Sequence, residues 1–250
     1  MPTLEATLSV PEMTLEVDRL LRTNDECPLP CVWGFRAGSS ESLAVQTFFT
    51  RIGWGGAPYD MPEGPVYFTG KDLPGSSSIR FGFFVPGDQV EALSYALTRP
   101  EFTGRDEVLS PRSVIETLGA PDQVWVNLGV GLEIEAPLRA PFNVYLYYDD
   151  EAALLQYNGV ATRLDGQYQM CLVDPNQLPA GDGGGVESVS VYAGSGTWSG
   201  NPKKIVRPFG EFGGMMPSGE AVGATPEDLY DRILQEETLC LTTPTAIWLR

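Results

Sequence analysis

The chain has no histidine in its 250 residues. That one absence removes imidazole general bases, Ser-His-Asp and Cys-His nucleophile activation, and imidazole metal sites. Positive charge is scarce: 16 Lys and Arg stand against 33 Asp and Glu, for a formal net charge of -17. A chain of that sign repels phosphate backbones, which excludes nucleic acid as a partner, and it lacks the basic patch that holds a protein to anionic lipid. Otherwise the acidity keeps the protein soluble and says little about fold. Long apolar runs are missing too. No window approaches the roughly 18 apolar residues of a bilayer-crossing helix, so no transmembrane segment is expected. Met1-Pro2-Thr3-Leu4-Glu5-Ala6 carries neither the basic region nor the apolar stretch of a secretory leader. There is no G-x-x-x-x-G-K-S/T phosphate loop and no D-x-D-x-D-G calcium loop; neither a cofactor nor a metal is expected.

What is present suffices for a packed core, with 42% of residues apolar. There are four cysteines, Cys27, Cys31, Cys171 and Cys240. A four-thiolate zinc site wants two close pairs, and here only Cys27 and Cys31 are close. Two disulfides are the expectation, in one of three pairings. The favoured pattern ties Cys27 and Cys31 separately to the distant cysteines, because a Cys27–Cys31 bridge closes only a tiny loop and gains little entropy. Disulfides point to an oxidising compartment, hence to a secreted or cell-surface protein whose leader is absent from this sequence.

The clearest local signal is Ser110-Pro111 to Leu118-Gly119-Ala120-Pro121. Ser110 caps, Pro111 fits the first helical position, Val114, Ile115 and Leu118 share a face, and Gly119 with Pro121 stops the helix. A second helix is expected from Glu41 to Ile52, capped by Ser39 or Ser40, and a third after the capping pair Thr225 and Asp228, with Leu229 and Ile233 inward. Strands are expected at 66–69, 79–85, 89–97, 124–126, 142–148, 152–157, 168–173 and 186–192, with turns at Pro86-Gly87-Asp88 and Asp149-Asp150-Glu151. Residues 1–11 read as a mobile tail, and 13–22 as either a short helix or an extended segment.

Both halves therefore run helix first, then antiparallel strands. The expected fold is α+β, two tandem modules each packing a helix on an antiparallel sheet, with a C-terminal helix. The divisions are an N-terminal segment over 1–25, modules over 26–105 and 106–195, and an irregular loop plus docked helix over 196–250.

Cys27-Pro28-Leu29-Pro30-Cys31-Val32-Trp33-Gly34, continuing to Gly38, resembles the P-C-x-W-G opening of uncharacterised bacterial secreted and lipoprotein-type proteins. Cys240-Leu241-Thr242-Thr243-Pro244, followed by Trp248, resembles their closing motif. The phrase around Leu118-Gly119-Ala120-Pro121 is similar to the helix-to-strand unit of small envelope lipoproteins and β-lactamase-inhibitor-like modules. The resemblance runs from about Val17 to Trp248 and implies extracytoplasmic tandem α+β modules. It transfers no catalytic residue, and the absent lipobox leader leaves lipid anchoring open.

Three sets of residues are candidates for function. Asp149, Asp150 and Glu151, with Asp165 or Asp174, form an acidic group that reads either as a calcium or acid/base site or as a solvated turn. The aromatics Trp33, Trp54, Trp125, Tyr145, Tyr147, Tyr148, Tyr157, Trp198 and Trp248 divide between core and surface. Trp33, Trp125 and Trp248 are assigned to the core, Trp198 is the best exposed candidate, and Tyr145 and Tyr147 share one strand face. The glycine-rich stretches 181–185 and 210–214 read as flexible, beside a basic island of Lys203, Lys204 and Arg207 near Phe209 and Phe212. No catalytic residue is assigned. The function these features favour is binding of a protein or glycan partner, at Trp198, Tyr145, Tyr147, Asp149 and Asp150, on an open sheet face rimmed by 194–223 or between modules. The alternatives are a carboxylate-based glycan hydrolase and an inhibitor or assembly module.

Overall fold

Alternating apolar residues along the strands decide the architecture: one set of side chains must be buried, and helices supply the cover. The computed structural model describes residues 7–73, 77–100, 104–129, 137–173, 184–210, 213–236 and 238–248. Helix α1 (Val10–Thr23) and helix α2 (Ser42–Arg51) precede strands β1 (Pro58–Met61), β2 (Gly64–Asp72), β3 (Ser78–Phe84) and β4 (Ala92–Thr98). Helix α3 (Pro111–Leu118) precedes β5 (Gln123–Leu128), β6 (Arg139–Tyr148), β7 (Ala153–Leu164), β8 (Gln167–Cys171) and β9 (Val186–Gly194). Short α4 (Pro202–Val206), β10 (Met216–Pro217) and α5 (Ser218–Ala221) lead to α6 (Pro226–Gln235) and β11 (Cys240–Pro244). The class is α+β. All the strands join one antiparallel sheet in the order β1-β2-β3-β4-β9-β7-β6-β5-β10, with β11 on β8 and β8 on the far end of β7.

The two strand runs β1–β4 and β5–β7 both finish beside β9. Strand β7 serves two neighbours along one edge, and its register with β9 shifts at Asn158/Gly159. Gly159 is needed there, because a side chain would strike the Gly185 carbonyl and the Phe142 ring.

The helices cover one face. Phe49 of α2 sits 4.9 Å from Phe81 and 5.4 Å from Phe83 of β3, ring centre to ring centre. Trp33 packs on Phe81 at 4.8 Å and Trp54 at 5.7 Å. Val114 and Ile115 of α3, Leu229 and Ile233 of α6, and Leu20 and Leu21 of α1 are buried in the same core. The Tyr157 hydroxyl, fully inside it, donates to the Leu109 carbonyl at 3.2 Å.

The capping residues act as the sequence predicts. Ser110 Oγ accepts from the Ser113 N–H, Thr225 Oγ1 accepts from the Asp228 N–H, and Gly119 takes φ 82°. Elsewhere the structure corrects the expectation. Residues 10–23 are a full helix, opened by the Ser9 N–H donating to Glu12, so Pro11 belongs to its first turn and not to a tail. Helix α2 starts after Glu41, and Ser40 Oγ instead accepts from the Arg36 N–H. Strand β1 occupies part of 55–65, a stretch whose glycines and prolines read as a loop, and 194–223 contains α4, β10 and α5.

The expected cysteine pairing is reversed. Cys27 joins Cys31, and Cys171 joins Cys240. Asn24, itself buried, explains the local bridge: its Nδ2 donates to the carbonyls of Cys27 and Cys31, and its Oδ1 accepts from the Trp33 N–H. The loop is folded around one side chain, so the two cysteines meet without help from loop entropy. Cys171 and Cys240 face each other in the β8–β11 register.

Candidate functional site

The sheet's second face lies opposite the core that α1, α2, α3 and α6 cover. Strand alternation sends Ser78, Arg80, Gly82 and Phe84 of β3 to this side, with Ser188, Ser190 and Tyr192 of β9. It sends Gln156 and Asn158 of β7 there too, with Asn143, Tyr145 and Tyr147 of β6. The register lines these residues into rows across the sheet. One row reads Phe84, Ala92, Gly194; the next reads Gly82, Ser94, Tyr192, Leu154, Tyr147. A third reads Arg80, Ala96, Ser190, Gln156, Tyr145, Trp125, and a fourth reads Ser78, Thr98, Ser188, Asn158, Asn143, Asn127.

The first two rows are covered. Trp198, Ile205 and Val206 pack on Phe84, Ala92, Leu154 and Tyr147 as a second, smaller core. A side chain at Gly82 would meet the Phe209 ring at 2.8 Å, so Phe209 closes directly on the sheet.

The other two rows carry uncharged polar groups linked around Gln156. Its Nε2 lies 3.0 Å from Asn143 Oδ1, 3.2 Å from Tyr145 Oη and 2.6 Å from Asn158 Oδ1. Its Oε1 accepts from the Tyr192 hydroxyl at 3.1 Å, and Asn158 Nδ2 donates to Ser188 Oγ at 3.0 Å. An amide nitrogen has two hydrogens, so three acceptors compete for them. The Tyr145 hydroxyl carries a hydrogen of its own, so the network sets donors beside acceptors, the pairing that a hydroxyl-bearing ligand can meet. Burial pushes the Tyr145 hydroxyl up to about 12, with the Tyr192 hydroxyl beside it adding to the shift; burial raises Tyr192 as well. Both hydroxyls therefore stay protonated and neutral across the ordinary pH range. Gln156, Asn143, Asn158 and Tyr192 are half-buried.

The predicted residues are divided by this geometry. Tyr145 belongs to the polar network. Tyr147 is fully buried under the covering segment, and its hydroxyl donates to Asp149 Oδ1 at 2.7 Å. Trp198, predicted exposed, is only 7% exposed: it stacks 5.7 Å from Phe84, and Lys204 Nζ lies 5.0 Å from its ring centre. The Gly-rich surroundings concealed that its neighbours Ile205 and Val206 need burial and carry Trp198 inward with them.

Asp149 is a structural acceptor. Besides Tyr147 it accepts from Ser199 Oγ at 3.1 Å and from the Gly200 N–H, and its own N–H donates to Asp122 Oδ2 at 2.7 Å. The Tyr147 hydroxyl first, then the Gly200 N–H, hold its carboxyl below the usual carboxylate range. It anchors the covering segment to the β6–β7 turn. Asp150, Glu151 and Asp165 lie on exposed turns, and Asp174 falls outside the described residues. Among the described residues, no three His, Cys, Asp or Glu are grouped to hold a metal ion.

Trp33 and Trp54 are core residues, and Tyr148 and Tyr157 are buried in the same core, whereas Trp125 and Trp248 are half-buried. Residues 181–183, 211 and Phe212 lie outside the described set. Gly184 and Gly185 are buried against β7, which replaces the flexible reading at that end of the stretch.

Gln156, Asn143, Asn158, Ser188 and Ser190 were missed by sequence reasoning, although a signal existed. Gln156 and Asn158 stand two residues apart in the largely apolar strand β7, and Asn143 interrupts the apolar run of β6. Compared with known proteins, the chain matches no family model, no curated sequence and no solved structure.

Proposed function

We propose that the protein is an extracytoplasmic binding protein for a neutral, hydroxyl-rich ligand of the glycan class, held on the polar half of the second sheet face. The observation that carries this reading is the amide–tyrosine network around Gln156: uncharged, half-buried, offering donors and acceptors side by side, and contiguous across β9, β7 and β6. Amides and phenols offer both donors and acceptors, which suits vicinal hydroxyls. The half-covered setting removes bulk water that would compete with them.

Two disulfides support the compartment, because such bonds persist where thiols are oxidised. Helix α2 with β1–β4, and α3 with β5–β7, support reading the chain as two tandem units sharing one sheet, each with its helix on the same side. That layout and the opening and closing motifs support reading it as similar to the secreted, lipoprotein-type proteins that it resembles.

The test is calorimetric titration of the full chain with a panel of neutral oligosaccharides, repeated on Gln156→Leu and Asn143→Ala. Saturable binding weakened about tenfold by each change is expected, the scale of one or two hydrogen bonds left unmade. Binding that ignores both substitutions, or no binding by any neutral glycan, would overturn the assignment.

A further inference from the structure

The covered half of the same face holds a second feature that the glycan reading does not use. Two of the chain's three lysines, Lys203 and Lys204, and Arg207 fall within five residues in a protein of net charge -17. Two of these three cations, Lys204 and Arg207, stand at the rim of a slot of about 170 Å³ whose lining includes Met61, Phe84, Trp198 and Pro208. The remaining rim residue is Glu63, from the turn between β1 and β2. Its carboxylate pairs with Arg207 Nη2 across the mouth, and both side chains are well exposed, 44% and 74%. Exposed pairs of this kind contribute little net energy and exchange readily for another carboxylate. Lys204 rests over the Trp198 ring with its ammonium free to turn to an anion.

An apolar cavity of about 150 Å³ is known to hold a single benzene ring. The slot is of that size, with an apolar floor and cations at its opening. We infer that it binds a small monocyclic aryl carboxylate, the ring on Phe84, Trp198 and Met61, and the carboxylate replacing Glu63 on Arg207 with Lys204 as second donor. Charge complementarity selects this occupant: a neutral ring brings no carboxylate to replace Glu63 on Arg207, and a cation would meet Lys204.

The test is calorimetric titration of the full chain with phenylacetate and with its neutral isostere phenylacetamide. Phenylacetate is expected to bind at least tenfold more tightly, the scale of a charge-assisted hydrogen bond. Arg207→Ala should weaken it about tenfold and erase most of the preference over the amide. Glu63→Gln removes the competing carboxylate and should tighten phenylacetate severalfold while leaving phenylacetamide unchanged; a purely structural role for the ion pair would give the opposite sign. Equal affinity for acid and amide, or no effect of Arg207→Ala, would overturn the inference. So would tighter binding of a peptide ending in phenylalanine than of phenylacetate, since the slot would then belong to peptide C-termini. Gln156→Leu should change none of these values, which separates this site from the polar half.

Discussion

The two faces of one sheet show how differently the same alternation can be used. On the helix side, Phe81, Phe83, Tyr95, Leu155 and Tyr157 are all buried in the main core, and the rule of apolar-inward holds across the central strands β3, β4, β9, β7 and β6. On the other side the rows change character within a few ångströms. Leu154 and Tyr147 are covered by the 198–209 segment, while Gln156 and Tyr145, one residue pair along, link to each other and to Asn143 and Asn158. A strand can thus carry core, second core and polar surface in six residues. Only the first of these follows from hydrophobicity alone.

The largest expected effect tests whether the faces differ in weight. Phe81→Ala should lower unfolding stability by about 3–5 kcal/mol, the usual loss for a buried aromatic. Phe68→Ala, on the neighbouring strand but 47% exposed on the second face, should stay within about 0.5 kcal/mol. Urea denaturation of both variants checks it, and comparable losses would dissolve the distinction.

Next in size is the fit of the covering segment. Gly82→Ala forces its new methyl against Ser94 and Phe209. A loss of about 1–3 kcal/mol is expected from such overpacking, with protease cutting enhanced in the 198–210 segment, where the cover lifts. An unchanged midpoint would mean that Phe209 does not close tightly on the sheet.

The smallest effect concerns the tie at Asp149. Its folded-state pKa lies below the ordinary value, so its stabilising contribution is complete above about pH 4 and fades as pH falls through the folded value. Asp149→Asn should lower the melting temperature at neutral pH, and the gap from the parent protein should close in strong acid. A gap that persists there would assign the effect to packing.

These contrasts also explain what could be read in advance. The helices at Pro111–Leu118 and Pro226–Gln235 were legible because their caps, Ser110 and Thr225, act within one turn. The long strands were legible from alternation. The cysteine pairing was not, because an entropy argument describes the unfolded chain, whereas Asn24 shapes the folded loop that brings Cys27 to Cys31. Trp198 was misplaced because its burial depends on Ile205 and Val206 docking onto a face assembled from four distant strands. Tyr145 was found by strand parity, but its partners were not: a lone Gln or Asn on a strand looks like solvent surface until the register sets Gln156 opposite Tyr145 and Asn158 opposite Asn143.

The most direct test of the binding face is to follow the side-chain amide resonances of Gln156, Asn143 and Asn158 by NMR while a neutral oligosaccharide is added. The account predicts saturable shifts in all three, with the backbone signals of α2 and α3 on the opposite face unmoved. Amide signals that stay fixed while the oligosaccharide binds elsewhere would contradict it.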